Sequence, residues 1–104
     1  MGLQSTASSV STKPIASVHI KETGSSGQPT IYTVPTGRYF EGYIYASNAQ
    51  GGTFKINDVD VNYSINQAST NGRPHLFILV AGDYVQANAN GSYYTYIHGA
   101  EYAT

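Results

Sequence analysis

Cysteine and tryptophan are absent from this 104-residue sequence, and methionine occurs once. Without cysteine there are no disulfides and no thiolate-held metals, and the redox compartment stays open. Charge is scarce as well. Asp, Glu, Lys and Arg together make up 11% of the chain, under half of the roughly 25% usual in soluble domains. Five basic residues stand against six acidic ones, for a formal net charge of −1 with histidine neutral. There is no Lys or Arg cluster. Phosphate recognition needs one, so nucleic acid is not an expected partner. No apolar run approaches the ~20 residues of a membrane helix, so no membrane partner is expected either. The start, Met1-Gly2-Leu3-Gln4-Ser5-Thr6, has neither the basic residues nor the apolar core of a secretory leader. Helical periodicity is missing from every segment.

What is present is a β vocabulary. Eleven glycines, ten tyrosines and many Ser, Thr and Asn indicate short strands with frequent turns. The length is that of one domain with a modest core. Low charge favours a surface that meets other protein, because an isolated soluble domain usually carries more charge to keep its copies apart. A Tyr- and Asn-rich surface that is simply soluble is the alternative. Residues 1–14 are rich in Ser and Thr, with Leu3 and Val10 as their only large aliphatic side chains. They cannot build a core. They are expected to form an extended arm that docks onto neighbouring subunits through Leu3, Val10 and Pro14. Packing of the arm along its own domain is the other option. Residues 15–104 form the domain proper.

Residues 75–81, His-Leu-Phe-Ile-Leu-Val-Ala, make the longest apolar run. Alternation would place Leu76, Ile78 and Val80 on one side of a strand and Phe77, Leu79 and Ala81 on the other. A strand apolar on both faces needs cover on both, which puts it at the centre of a sheet. The other strands read as its shell. Residues 15–20 and 30–34 are the first two. Residues 35–38, Pro-Thr-Gly-Arg, form a tight turn into a third strand over 39–46. There Phe40, Ile44 and Ala46 face in, and Tyr39, Glu41, Tyr43 and Tyr45 face out. Gly42 lies on the inward side, where a missing side chain admits a close neighbour. Residues 53–56 and 59–65 flank Asn57-Asp58, both tolerant of the left-handed conformation a two-residue hairpin needs. Tyr84 to Ala89 alternates again, Asn90-Gly91 is a second hairpin signal, and residues 92–99 are the last long strand, extended by Glu101 and Tyr102. About eight short strands with Gly and Asn turns predict an all-β, jelly-roll-like antiparallel sandwich.

No chemical constellation stands out. His19, His75 and His98 are scattered, without a ligand-spaced partner or the His-x-His pair of a metal-binding cupin. They read as sheet-face residues. Asp58 and Asp60 lie at the hairpin turn without the oxygen-rich loop of a Ca²⁺ site. Nucleophile-elbow and phosphate-loop patterns are missing. No catalytic residue, cofactor or metal is therefore expected, and the chain reads as a non-enzyme. Tyrosine is the one candidate binding feature. It offers large, stiff contact area with a polar tip, suited to protein interfaces and to sugar stacking. Tyr39, Tyr43 and Tyr45 line the outer side of one strand, as interface or as cross-strand support. Tyr94 and Tyr96 share a face of the last strand and read rather as cross-strand or core filling.

The order of signals resembles a family. Thr33-Val34-Pro35-Thr36-Gly37-Arg38 leads into a Gly-bearing aromatic strand. Ile56-Asn57-Asp58-Val59-Asp60-Val61 follows, then Ala81-Gly82-Asp83-Tyr84-Val85, then Ile97-His98-Gly99-Ala100-Glu101-Tyr102. Over about 70 residues this is similar to small jelly-roll virion proteins of tailed bacteriophages, the capsid decoration (cement) proteins and head- or tail-fibre modules. Such turns recur in other β-sandwiches too. The resemblance implies homotrimers on a capsid lattice, with the major capsid protein or other virion proteins as partners, or trimeric fibres. It carries over no catalytic residues. The expectation is a structural virion protein, made in the host cytoplasm, that stabilises a capsid. The alternative is a fibre module that binds a host glycan through exposed Tyr residues and the loops at 47–52 and 66–73.

Overall fold

The computed structural model describes residues 13–46, 53–62 and 76–104. They form eight strands: β1 (Ala16–Thr23), β2 (Thr30–Thr33), β3 (Arg38–Ala46), β4 (Thr53–Ile56), β5 (Val59–Asn62), β6 (Leu76–Val80), β7 (Tyr84–Gln86) and β8 (Tyr94–Ala103). Two four-stranded sheets result, ordered β1-β8-β3-β6 and β2-β7-β4-β5. All pairings are antiparallel. The chain is thus an all-β antiparallel sandwich, as its composition predicts.

The pairings nest. β1 pairs with β8, β2 with β7, β3 with β6 and β4 with β5. One long hairpin with its tip at β4–β5 produces this order when wound into two layers. The innermost turn is set locally. Asn57 and Asp58 take φ of 53° and 66°, the left-handed pair that a two-residue hairpin requires. Gly37 and Gly82 supply positive φ at the turns closed by Arg38 N–H to Pro35 O and Asp83 N–H to Val80 O.

The core lies between the sheets. Phe40, Ile44, Ala46 and Ile97 of the first sheet meet Phe54 and Val85 of the second, all fully buried, with Val34 beside them. β3 supplies more of it than any other strand because its alternation is strict: Phe40, Gly42, Ile44 and Ala46 are buried in turn. Gly42 pairs directly with Gly99 of β8. A Cβ at Gly42 would sit 2.7 Å from Phe40 Cζ, and one at Gly99 would sit 2.8 Å from Phe40 Cε1. The ring of Phe40 therefore lies across both glycines and fills the space that two side chains would have taken.

One charged group is buried with them. Glu101 is 5% exposed. Its carboxylate accepts from Arg38 Nη1 at 2.7 Å and from the Tyr32 hydroxyl at 2.6 Å. β2, β3 and β8 are thereby tied across the two layers. Burial, and then the bond to Glu101, push the Tyr32 hydroxyl well above its ordinary range.

Two expectations need correction. The apolar run is not central: among the described residues β6 is an edge strand beside β3. Phe77 and Leu79 do turn inward, with the Phe77 ring edge-on to Phe54. Leu76, Ile78 and Val80 are 54%, 62% and 58% exposed. Asn90-Gly91 also closes no hairpin. β7 and β8 belong to different sheets, and residues 87–93 carry the chain from one layer to the other. That crossing is held by Ala87 N–H to Pro29 O, Ser25 N–H to Asn88 O and Gly24 N–H to Tyr93 O. Backbone from the β1–β2 connection thus takes the place that a paired strand would have had.

Candidate docking face

The outer side of the first sheet is built by register. His19 of β1, His98 of β8, Tyr43 of β3 and Leu76 of β6 stand in one transverse row. Ser17, Ala100, Glu41 and Ile78 form the next row, and Tyr102, Tyr39 and Val80 the one beyond. On the other flank Lys21, Tyr96 and Tyr45 line up, followed by Thr23 and Tyr94. Because side chains alternate, each row shares its face with rows two residues away. Six tyrosines, two histidines and the aliphatic strip of β6 thus occupy one surface.

The rings support one another. Tyr39 stacks on Tyr102 at 5.2 Å and Tyr45 on Tyr96 at 5.0 Å between centroids. Tyr96 also stacks with His98 at 6.0 Å. Such pairs contribute roughly 0.5–1.5 kcal/mol each beyond area burial. Lys21 and Glu41 are the only charged side chains in these rows. The Lys21 ammonium lies over the Tyr94 ring, 4.4 Å from its centroid. Burial, and then the neighbouring Tyr96, raise the Tyr45 hydroxyl above its usual range. The aromatic half of the face is therefore prearranged and half-dry. The aliphatic half is open, and among the described residues no strand covers the free edge of β6.

The two histidines, 79 residues apart in sequence, approach to 3.2 Å between their Nδ1 atoms. Among the described residues no three His, Asp or Glu side chains converge as metal ligands.

The second sheet shows a different outer face. Tyr84 O–H and Gln86 Nε2 both donate to the Asp58 carboxylate. Those bonds hold Asp58 below the usual carboxylate range and Tyr84 above its own. At the far end Gln28, Thr53, Asp60, Asn88, Asn90 and Tyr93 line a polar cleft of about 410 Å³. Among the described residues Asp60 is the only carboxylate in its walls.

Comparison with protein families, characterised proteins and solved structures returns no match.

Of the residues singled out in the sequence, Tyr39, Tyr43 and Tyr45 stand together on the outer face. Tyr43 is 44% exposed and the other two are half-buried by their ring partners. Pro14 is exposed ahead of β1. Leu3 and Val10, and the loops at 47–52 and 66–73, lie outside the described residues. Missed by the sequence reading were Leu76, Ile78 and Val80, which were given to a covered strand. Tyr96 gives the cross-strand support expected of it, stacked on Tyr45, with Tyr94 beside it. Strict alternation of Tyr94, Tyr96 and His98 puts all three on whichever side β3 shows Tyr45. The meeting of His19 with His98 was missed too, and leaves no such trace in the sequence.

Proposed function

We propose that this protein is a structural virion component, a capsid decoration protein of a tailed phage, that works by docking and not by catalysis. The observation that carries the docking reading is the outer face of the first sheet. Three aliphatic side chains more than half exposed adjoin six tyrosines, with one lysine and one glutamate between them. Tyrosine-rich, charge-poor surface is the composition of protein interfaces, and a contiguous exposed apolar patch marks an interaction site. The assignment to a phage shell rests on the turn-and-strand resemblance. With it come a jelly-roll classification, which the nested pairing supports, a trimeric state and the major capsid protein as partner. A protein that binds only the assembled shell stabilises it by mass action, since disassembly must first release the bound copies. The arm over residues 1–14 would add contacts to neighbouring subunits.

Co-sedimentation with shells stripped of this protein tests the proposal. Full-length chain should pellet, residues 15–104 should pellet less, and Ile78→Lys should stay in solution. Equal pelleting of all three would refute both the arm and the face. No pelleting by any would make the shell the wrong partner.

The polar cleft favours a second reading, a fibre module for a host glycan. Asn90, Gln28, Thr53 and Asp60 bring polar side chains beside the Tyr93 ring, the mixture that sugar hydroxyls and C–H faces require. A glycan array should then give hits that Asp60→Ala and Tyr93→Ala abolish. An array without hits removes this reading.

A further inference from the structure

We propose that His19 and His98 form a two-imidazole chelate for a divalent d-block cation such as Zn²⁺ or Ni²⁺. The inference is independent of what the face docks against.

The distance carries it first. Imidazole nitrogens bind zinc at about 2.0–2.1 Å. Two such bonds at right angles place the nitrogens about 2.9 Å apart, and at a tetrahedral angle about 3.4 Å apart. The Nδ1 atoms of His19 and His98 are separated by 3.2 Å, inside that window. The rings are tilted by 50° with centroids 5.5 Å apart, so the two Nδ1 edges converge while the ring faces do not stack. In the free chain one Nδ1–H donates to the other Nδ1. A cation replaces that single hydrogen bond with two coordinate bonds, and the Nδ1 proton moves to Nε2 of the same ring, so both imidazoles bind as neutral ligands.

The backbone holds this geometry. His19 and His98 are direct cross-strand partners in the β1–β8 ladder. β8 is an interior strand, paired on both sides. Tyr96 stacks on the His98 ring and Tyr45 flanks it at 5.9 Å, which limits its rotation. Little rotamer freedom remains to be lost on binding, which is what preorganisation means for a ligand pair. Electrostatics do not oppose a cation. The one lysine of this face holds its ammonium over Tyr94, and Glu41 lies one row further along.

Ligand type selects the ion. Imidazole suits Zn, Cu and Ni, whereas Mg²⁺ and Ca²⁺ take oxygen ligands. Water would complete the coordination in the free chain. An open coordination position on this face could in turn accept a donor from whatever docks there.

Titration calorimetry of the full chain with ZnCl₂ and NiCl₂, with MgCl₂ as control, tests the site. One Zn²⁺ or Ni²⁺ should bind per chain, with no saturable heat from Mg²⁺. His19→Gln and His98→Gln should each weaken binding by about tenfold or more, because one ligand loses the effective concentration that two provide. His75→Gln should leave it unchanged. Nitrogen-15 spectra of the wild-type imidazoles decide the matter even if a variant fails to fold: Zn²⁺ should move the Nδ1 signals of His19 and His98 together. Absence of saturable uptake, uptake that survives both His19→Gln and His98→Gln, or shifts confined to His75 would overturn the proposal.

Discussion

Replacing Gly42 with alanine should cost this domain about 2 kcal/mol, although alanine is intrinsically the better strand residue. Two effects oppose. Glycine in a strand interior is roughly 0.5–1 kcal/mol worse than alanine, because it loses more backbone freedom on folding. Overpacking a dense core costs about 1–3 kcal/mol, occasionally more. What the new methyl meets decides the balance. A Cβ at Gly42 lies 2.5 Å from Gly99 Cα and 2.7 Å from Phe40 Cζ, and closer still to the His98 carbonyl oxygen. Two of those three are backbone of a strand paired on both sides, which cannot swing aside as a flexible side chain would. The third is a fully buried ring with no vacancy to enter. Overpacking therefore acts at the top of its range and outweighs the entropic gain, leaving a net loss of about 2 kcal/mol. At about 4–8 °C per kcal/mol for a domain near this size, the melting temperature should fall by about 8–16 °C. Gly27→Ala is the internal control, since a Cβ there has nothing within 4 Å, and it should lie within about 0.5 kcal/mol of wild type. Thermal unfolding followed by circular dichroism reads both. A Gly42→Ala midpoint within two or so degrees of wild type would refute the glycine-pair packing.

Other outcomes follow from the same contacts. Arg38→Ala should destabilise by about 2–3 kcal/mol in urea unfolding: breaking a buried ion pair costs about 3–5 kcal/mol, and Arg38's side chain is 37% exposed, so the cost is discounted. A loss under about 0.5 kcal/mol would contradict the cross-layer tie. Alkaline stability should depend on Tyr32. Its hydroxyl is raised in the folded chain, so its contribution is complete below about pH 10, the unfolded value, and is lost as pH rises beyond it. Tyr32→Phe should therefore show a shallower fall in urea midpoint between pH 9 and 11.5 than wild type, and parallel curves would count against it. Ile78→Lys should leave the melting temperature almost unchanged, because Ile78 is 62% exposed and surface substitutions stay within about 0.5 kcal/mol. A large loss of stability would mean that the side chain belongs to the fold and not to a docking face.

Local chemistry was legible in the sequence. Asn57-Asp58 took the left-handed turn that its residue types allow, and Gly37 supplied the positive φ expected after Pro35-Thr36. β3 showed its buried and exposed sides in the order its alternation gives, Gly42 included. What escaped was pairing. Period-2 alternation tells which residues share a side but not which strand lies alongside, so the doubly apolar β6 could be placed at a centre when it lies at an edge. Asn90-Gly91 has hairpin residues, yet hydrogen bonds from the β1–β2 connection claim the neighbouring backbone. The histidine pair needed the β1–β8 register, which joins the two ends of the chain and leaves no local trace. The docking face joins both kinds of information: its tyrosines were visible as a stripe on β3, but its extent depended on which strands flank that stripe.

Quantitative co-sedimentation of wild type and Ile78→Lys with stripped shells, over a concentration series, reads the docking face itself. Burying an aliphatic side chain of this kind contributes about 1.5–3 kcal/mol when complete. A lysine within that interface should therefore weaken shell binding by about tenfold or more. The expected result is a wild type that saturates the shells and a variant that stays in the supernatant with an unchanged melting temperature. Equal binding of both proteins would contradict the docking face.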